Sequence, residues 1–219
     1  MRRVLATAAA TVTAAGLALA TGATAASAST AGHSCPADGA ESLASVLLAD
    51  GNQFDRNSRD FDIVTEAALA VLAAKPGSPV GVLTDGSVAL TAFLPTDKAF
   101  KTLVRSLTGT TPKSERAAFE AVAGLGIDTV ETVLLYHVVP GATITGKQAA
   151  RSNGAELTTA QGGTVEVKVT SHRAWRTISL VDADPDARNA RVIRTDINRD
   201  RDNVQIAHAV DRVLRPINL

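Results

Sequence analysis

Apolar residues over the first two thirds of the chain mostly recur at helical spacing, and those of the last third mostly alternate with polar ones. Ser42 to Leu48 reads as a short amphipathic helix, and the polar stretch from Asp50 to Asp60 as a loop. Phe61-Asp62-Ile63-Val64 opens a stronger helix, with Val64, Ala68, Val71 and Leu72 on one face. Lys75 suits its negative C-terminal end, and Pro76-Gly77 stops it. Residues 76–87, with their Gly, Pro, Ser and Asp, read as a loop. Val88 to Leu94 is apolar on both faces and too short for a helix, which predicts a buried strand ended by Pro95. Thr96 is placed to cap the next helix, and Asp97 sits in its first turn, where negative charge is favoured. Phe100, Leu103, Val104 and Leu107 form that helix's apolar stripe, and Gly109 ends it. Thr111-Pro112 predicts the start of another helix, running to about Gly124. Asp128 to Leu135 predicts one more, with Asp128 and Glu131 at capping-box spacing.

That last helix leads into Leu134-Leu135-Tyr136-His137-Val138-Val139-Pro140-Gly141, a dense apolar run holding the only tyrosine. Beyond Gly141 the pattern turns to strands. Glu156–Thr159 and Thr164–Val169 flank Gln161-Gly162-Gly163, a hairpin signal, and the second strand alternates Val inward with Glu and Lys outward. Thr177–Val181 is expected to pair with Ala190–Ile197 across the Asp184-Pro185 turn, and Val204–Val210 is the last strand. Helices first and antiparallel strands after predict an α+β domain.

The N-terminus changes the picture of where the domain works. Met1-Arg2-Arg3 is basic, Val4 to Ala20 is apolar and alanine-rich, and small-residue cleavage sites follow at Ala23-Thr24-Ala25 and Ala26-Ser27-Ala28. This is the layout of a secretory signal peptide over residues 1–28, followed by a leader linker at 29–40 and one domain at 41–219. The run is too short and too poor in Leu and Ile to hold a bilayer, so no membrane span is expected after signal removal. Cys35 is the only cysteine. It reads as a free thiol in the leader, open to intermolecular pairing, and no internal disulfide can form. An exported chain without disulfides must be stable through its core, and roughly 190 mature residues can bury about 70% of their unfolded surface. Removing Arg2 and Arg3 from the 22 basic residues leaves 20 against 22 acidic ones, a net of −2. That balance offers no basic excess for a phosphate backbone, so nucleic acid is not an expected partner. Aromatic residues make up 3% of the chain, too few for a platform that stacks sugars or bases.

Three stretches, in order, resemble one family. Thr91-Ala92-Phe93-Leu94-Pro95-Thr96-Asp97-Lys98-Ala99-Phe100 is similar to the TxFAPTDxAF signature of fasciclin (FAS1) domains. Leu135 to Gly141 looks like that family's YH segment. Asn203 to Pro216, including Ile206, His208, Asp211 and Leu214, resembles its closing NGxIHVIDxVLxP motif. The resemblance covers about residues 41–219 and implies a β-sandwich wedge with helices packed at its side. It also implies an extracellular adhesion or matrix-type role without catalysis. Leu94 stands where the family has Ala, Val204 where it has Gly, and Ala207 is inserted between Ile206 and His208. The stretches at 76–87 and 108–127 are long for the family.

Each chemical candidate has a structural alternative. His137, inside an apolar run, is expected to be a neutral core or half-buried histidine with one hydrogen bond. The functional alternative, implied by the resemblance, is that Tyr136 and His137 contribute to adhesion. His208 shares a strand face with Val204, Ile206 and Val210 and is expected to point into the core. Thr96, Asp97, His208 and Asp211 are read as structural motif residues, with Asp97 accepting a hydrogen bond from one of the two histidines. Asp97, His137 and His208 are also the ligand types of a metal triad, but no ligand spacing links them. Asp196, Asn198, Asp200 and Asp202 alternate like a calcium loop, yet Arg201 and Ala207 occupy the positions of its essential Gly and Glu. A solvated hairpin loop is the expected reading there. Trp175, between Arg173 and Arg176, is either a strand-end packing residue or an exposed contact. No G-x-S-x-G elbow positions a nucleophile.

The expectation is a secreted or cell-envelope-associated protein that acts by binding, without catalysis and without a cofactor. Its partner would be an extracellular or cell-envelope protein or glycan surface, met by a monomer, with the long loops as the place to look for contact. The alternatives are a secreted enzyme or small-ligand-binding protein on the same fold, marked by a deep pocket with convergent polar groups, and a secreted module packing on another chain through its long loops.

Overall fold

A computed structural model describes residues 39–49, 51–172 and 175–217. The expected signal peptide and Cys35 lie outside the described residues. No helix among those described is long and apolar enough to cross a membrane.

The helices come first. α1 (Leu43–Leu48) is capped by the Ser42 hydroxyl, which accepts from the Ser45 N–H, and it buries Leu43 and Leu47. α2 (Asp62–Ala74) buries Ile63, Val64, Ala67 and Val71. The stretch expected as a loop after it winds into a 3-10 turn (Pro79–Thr84) that buries Val80 and Leu83. α3 (Asp97–Thr108) ends at Gly109, whose φ of 75° supplies the left-handed cap. α4 (Glu115–Ala123) begins at Ser114, not at Thr111-Pro112, because the Ser114 hydroxyl accepts from the Ala117 N–H. α5 (Ile127–Tyr136) follows Gly126 with no side-chain cap. Asp128 and Glu131 do not form the expected capping box. Both bind the Lys75 ammonium, and Glu131 also accepts from the Ser78 hydroxyl, which fastens α5 to the end of α2.

β1 (Leu90–Pro95) is buried at every position and includes Pro95 as its last residue. β2 (Val138–Pro140) pairs antiparallel with it, and α6 (Gly146–Ala149) follows. β3 (Ala155–Thr158) and β4 (Thr164–His172) make the expected hairpin, with Val165 and Val167 buried and Glu166 and Lys168 exposed. β5 (Trp175–Val181), β6 (Ala190–Ile197) and β7 (Gln205–Val210) complete a seven-stranded sheet of order β2-β1-β7-β6-β5-β4-β3. Every pairing is antiparallel except β1 with β7.

β6 makes the corner of the wedge. Only Ala190 and Arg191 pair with β5, whereas Val192, Arg194 and Ile197 pair with β7 through two register shifts. Such irregularities bend a strand, so β6 serves both leaves of the sheet. One core lies between the helices and the first leaf, where Leu90, Ala92, Leu94, Ala207 and Ala209 meet Ile63, Val71, Phe100 and Leu134. A second lies between the leaves, with Phe93, Val139 and Val210 against Val165, Ile178 and Leu180. β1 and β7 separate the two cores, which is why both are apolar on both faces. Leu94, in place of the family's Ala, is buried in the first core. The expected α+β architecture is the one observed.

Candidate functional site

Asp97 was expected to serve its own helix and a histidine. It does neither. The first two N–H groups of α3, those of Asp97 and Lys98, donate to the carbonyls of Asp60 and Ser58, so Thr96 is left with no side-chain cap bond. The Asp97 carboxylate instead reaches the neighbouring helix, where Oδ1 accepts from the Ile63 N–H at 2.9 Å in the first turn of α2. A wholly buried aspartate thus caps α2 from α3.

Around it the loop before α2 gathers further acids. One carboxylate oxygen from each of Asp60, Asp62 and Asp97 lies within 4.8 Å of the others, and so do those of Asp55, Asp62 and Glu115. Glu115, also wholly buried, is well provided for. It accepts from Lys101 Nζ at 2.9 Å and from the Asp55 N–H at 2.7 Å, and Lys101 bridges on to Ser58 Oγ at 2.8 Å. Asp97 is less fully served: burial, then hydrogen bonding with Asp60, pushes it up to about 8.

Tyr136 and His137, the adhesion candidate, are 1% and 4% exposed, so in the folded domain neither presents a surface to a partner. Gly163 allows the hairpin to approach the Tyr136 ring, since a Cβ there would stand 3.0 Å from Cε2. The Tyr136 hydroxyl donates to the Thr164 carbonyl at 2.7 Å, and burial raises the phenol's pKa. His137 caps α5 and makes two ring bonds, not one. Nδ1 lies 2.7 Å from the Val133 carbonyl, and Nε2 lies 2.8 Å from the Leu214 N–H. A carbonyl can only accept and an N–H can only donate, so Nδ1 carries the proton and the ring is neutral. Burial agrees, lowering His137 to about 4. The ring thereby joins α5 to the chain after β7.

His208 points inward as expected, 1% exposed, with its ring centroid 6.0 Å from that of Phe93. Its Nε2 donates to the Ile144 carbonyl at 2.7 Å and its Nδ1 accepts from the Asp196 N–H at 3.3 Å, and burial lowers its pKa. All four imidazole nitrogens are therefore engaged with main chain. This corrects the expected bond from a histidine to Asp97, and Asp97, His137 and His208 do not gather as a metal triad. Asp211 clamps the sheet, its Oδ1 accepting from the Arg191 N–H at 2.7 Å.

The Asp196–Asp202 loop disperses its oxygens. Asp196 accepts from the Gly146 N–H at 2.9 Å, Asn198 Oδ1 accepts from Asn203, and Asp200 and Asp202 are exposed. Among the described residues these carboxylates do not come within reach of one ion. Trp175 opens β5 opposite His172, and its side chain lies outside the described residues.

Two polar residues escaped the sequence reading. Gln205 is wholly buried, accepting from the Leu43 N–H at 2.9 Å and donating to the carbonyls of Val82 and Asp85 at 2.8 and 2.7 Å. Thr91 Oγ1 donates to the Ala142 carbonyl and accepts from the Ile144 N–H. Their partners lie 51 to 162 residues away, beyond any local pattern. The only signal in sequence is a polar residue inside a doubly apolar strand.

Comparison with known proteins shows the family. The fasciclin domain model matches residues 69–216, well over half of the chain. No curated protein matches. Among solved structures, the FAS1 domain pair from the insect cell adhesion molecule fasciclin I is similar at 14% identity and a TM-score of 0.42. The match covers 70% of this chain and 43% of that one, so this chain spans less than half of the domain pair. On the family match, this chain belongs to the fasciclin domain family.

Proposed function

We propose that this is an exported fasciclin-domain protein that acts by binding, in cell adhesion or at the extracellular matrix or cell envelope, and not by catalysis. Export rests on the signal-like layout of residues 1–28, with 29–40 as linker and 41–219 as a single binding domain. The partner is an extracellular or envelope protein or glycan surface, met by a monomer. The observation that carries the reading is the use made of the motif residues. Tyr136, His137, His208, Thr91 and Asp211 are each spent on main-chain hydrogen bonds inside one domain. Residues held in this way build a scaffold and leave recognition to its surface.

That surface is narrower than the loop lengths imply. About half of 108–127 is taken up by α4 and the start of α5, and about half of 76–87 by the 3-10 turn. Exposed backbone with polar side chains remains at 108–114 and around Asp200–Asp202. Retention of the folded protein on envelope and matrix fractions tests the reading, with a variant in which Thr110, Thr111 and Lys113 become Ser. Retention of the wild type that the variant weakens supports it. A wild type that no fraction retains overturns it.

A further inference from the structure

We propose that Asp60, Asp62 and Asp97 form a binding site for a hard divalent cation, calcium or magnesium. The geometry fits one ion. Oxygens on opposite sides of a calcium ion stand about 5 Å apart, and about 4 Å apart around magnesium. The three carboxylate oxygens lie within 4.8 Å of one another.

An independent observation points to a ligand. Asp97 is 0% exposed, its Oδ1 is taken by the Ile63 N–H, and its Oδ2 meets no donor other than the Asp60 carboxyl, which can donate only when it holds a proton. Asp60 Oδ1 is buried and undonated in the same way. Buried acceptors are normally paired, and a carboxylate oxygen is the costliest kind to leave bare. Among the described residues neither Asp60 nor Asp97 takes part in an ion pair, and the nearby Lys101 is committed to Glu115. The donor set is all oxygen, with no histidine or cysteine, which selects calcium or magnesium over zinc. Asp60 also lines an open cleft together with Asn57 and Phe61, which has room for water ligands, and an ion entering there has to pass the positive charges of Arg59 and Arg194 in the same lining. The site would join the N-termini of α2 and α3 and the loop ahead of them, parts that meet only in the folded domain.

The competing arrangement is a proton held between Asp60 and Asp97. The test is calorimetric titration of the chelator-stripped full-length chain with calcium and, separately, magnesium at pH 8, with thermal melting in parallel. The expected result is one ion per chain and a raised Tm, with affinity reduced at least about tenfold in Asp97→Asn and Asp60→Asn and unchanged in Asp200→Ala. If Asp97→Asn fails to fold, Asp60→Asn, at the open edge, decides. Absence of heat and of any Tm change at about 10 mM of either ion, above the millimolar range of weak extracellular calcium modules, overturns the site in favour of the shared proton. So does an affinity that is unchanged in Asp60→Asn or lost in Asp200→Ala.

Discussion

His137 provides a direct reading of how tightly the junction between α5 and β2 is built. Its ring is neutral in the folded protein, held to about 4 by burial, whereas an unfolded histidine titrates near 6.5. Below pH 6.5 the unfolded chain therefore takes up a proton that the native chain refuses. Native stability is lost as the pH falls and stops falling, on this account, near pH 4. The difference of about 2.5 pH units corresponds to about 3 kcal/mol, accrued at about 1.4 kcal/mol per pH unit. Other buried groups titrate as well, so the clean quantity is a difference. Urea unfolding of the wild type and of His137→Gln from pH 7.5 to 4.5 cancels what the two chains share. The stability advantage of the wild type should shrink by about 2–3 kcal/mol over that range. An advantage that stays constant with pH would mean that the ring is not buried as described, and would refute the argument.

Two further substitutions test parts of the scaffold that no local pattern announces. Gln205→Ala strands the Leu43 N–H and the carbonyls of Val82 and Asp85 in the interior. At about 1–3 kcal/mol for each unsatisfied group, a loss of at least 3 kcal/mol is expected in urea melts, and a loss under 1 kcal/mol would show that these bonds are not made. Gly86→Ala puts a Cβ 1.9 Å from the Ala40 carbonyl oxygen, so backbone must move. A cost of about 1–3 kcal/mol follows, seen as a fall in Tm of roughly 2–4 °C per kcal/mol, and an unchanged Tm would contradict the packing of residue 40 on Gly86.

The limits of the sequence pattern show in particular residues. Strand β1 was legible because a segment apolar on both faces must be buried on both, and it separates the two cores. The β3–β4 hairpin was legible because Val165 and Val167 alternate with Glu166 and Lys168 about a Gly-Gly turn. Periodicity reports which side of an element is buried and is silent on which distant polar group meets it. Asp97 fitted its own helix's first turn by charge, yet its carboxylate serves a helix that begins 35 residues earlier. Thr111-Pro112 carried a start signal that Ser114 took over with a better-placed hydroxyl. Asp128 and Glu131 had capping-box spacing, and Lys75 at the end of α2 outcompeted the local backbone for both. The acidic group at Asp55, Asp60, Asp62, Asp97 and Glu115 draws on three separate segments, so only the tertiary fold assembles it.

On the proposed function, the family's motif residues hold a scaffold and do not themselves touch the partner. Tyr136→Phe probes it most directly, because it deletes one hydroxyl and its bond to the Thr164 carbonyl while keeping the buried ring. It should cost about 1 kcal/mol of stability and leave the domain folded. The decisive measurement is the dissociation constant of the folded wild type and folded Tyr136→Phe for the envelope or matrix fraction that retains the protein. Values within about twofold of each other, under 0.5 kcal/mol, are the predicted result. A tenfold weaker variant, folded to the same extent, would contradict the claim and return Tyr136 to the binding surface.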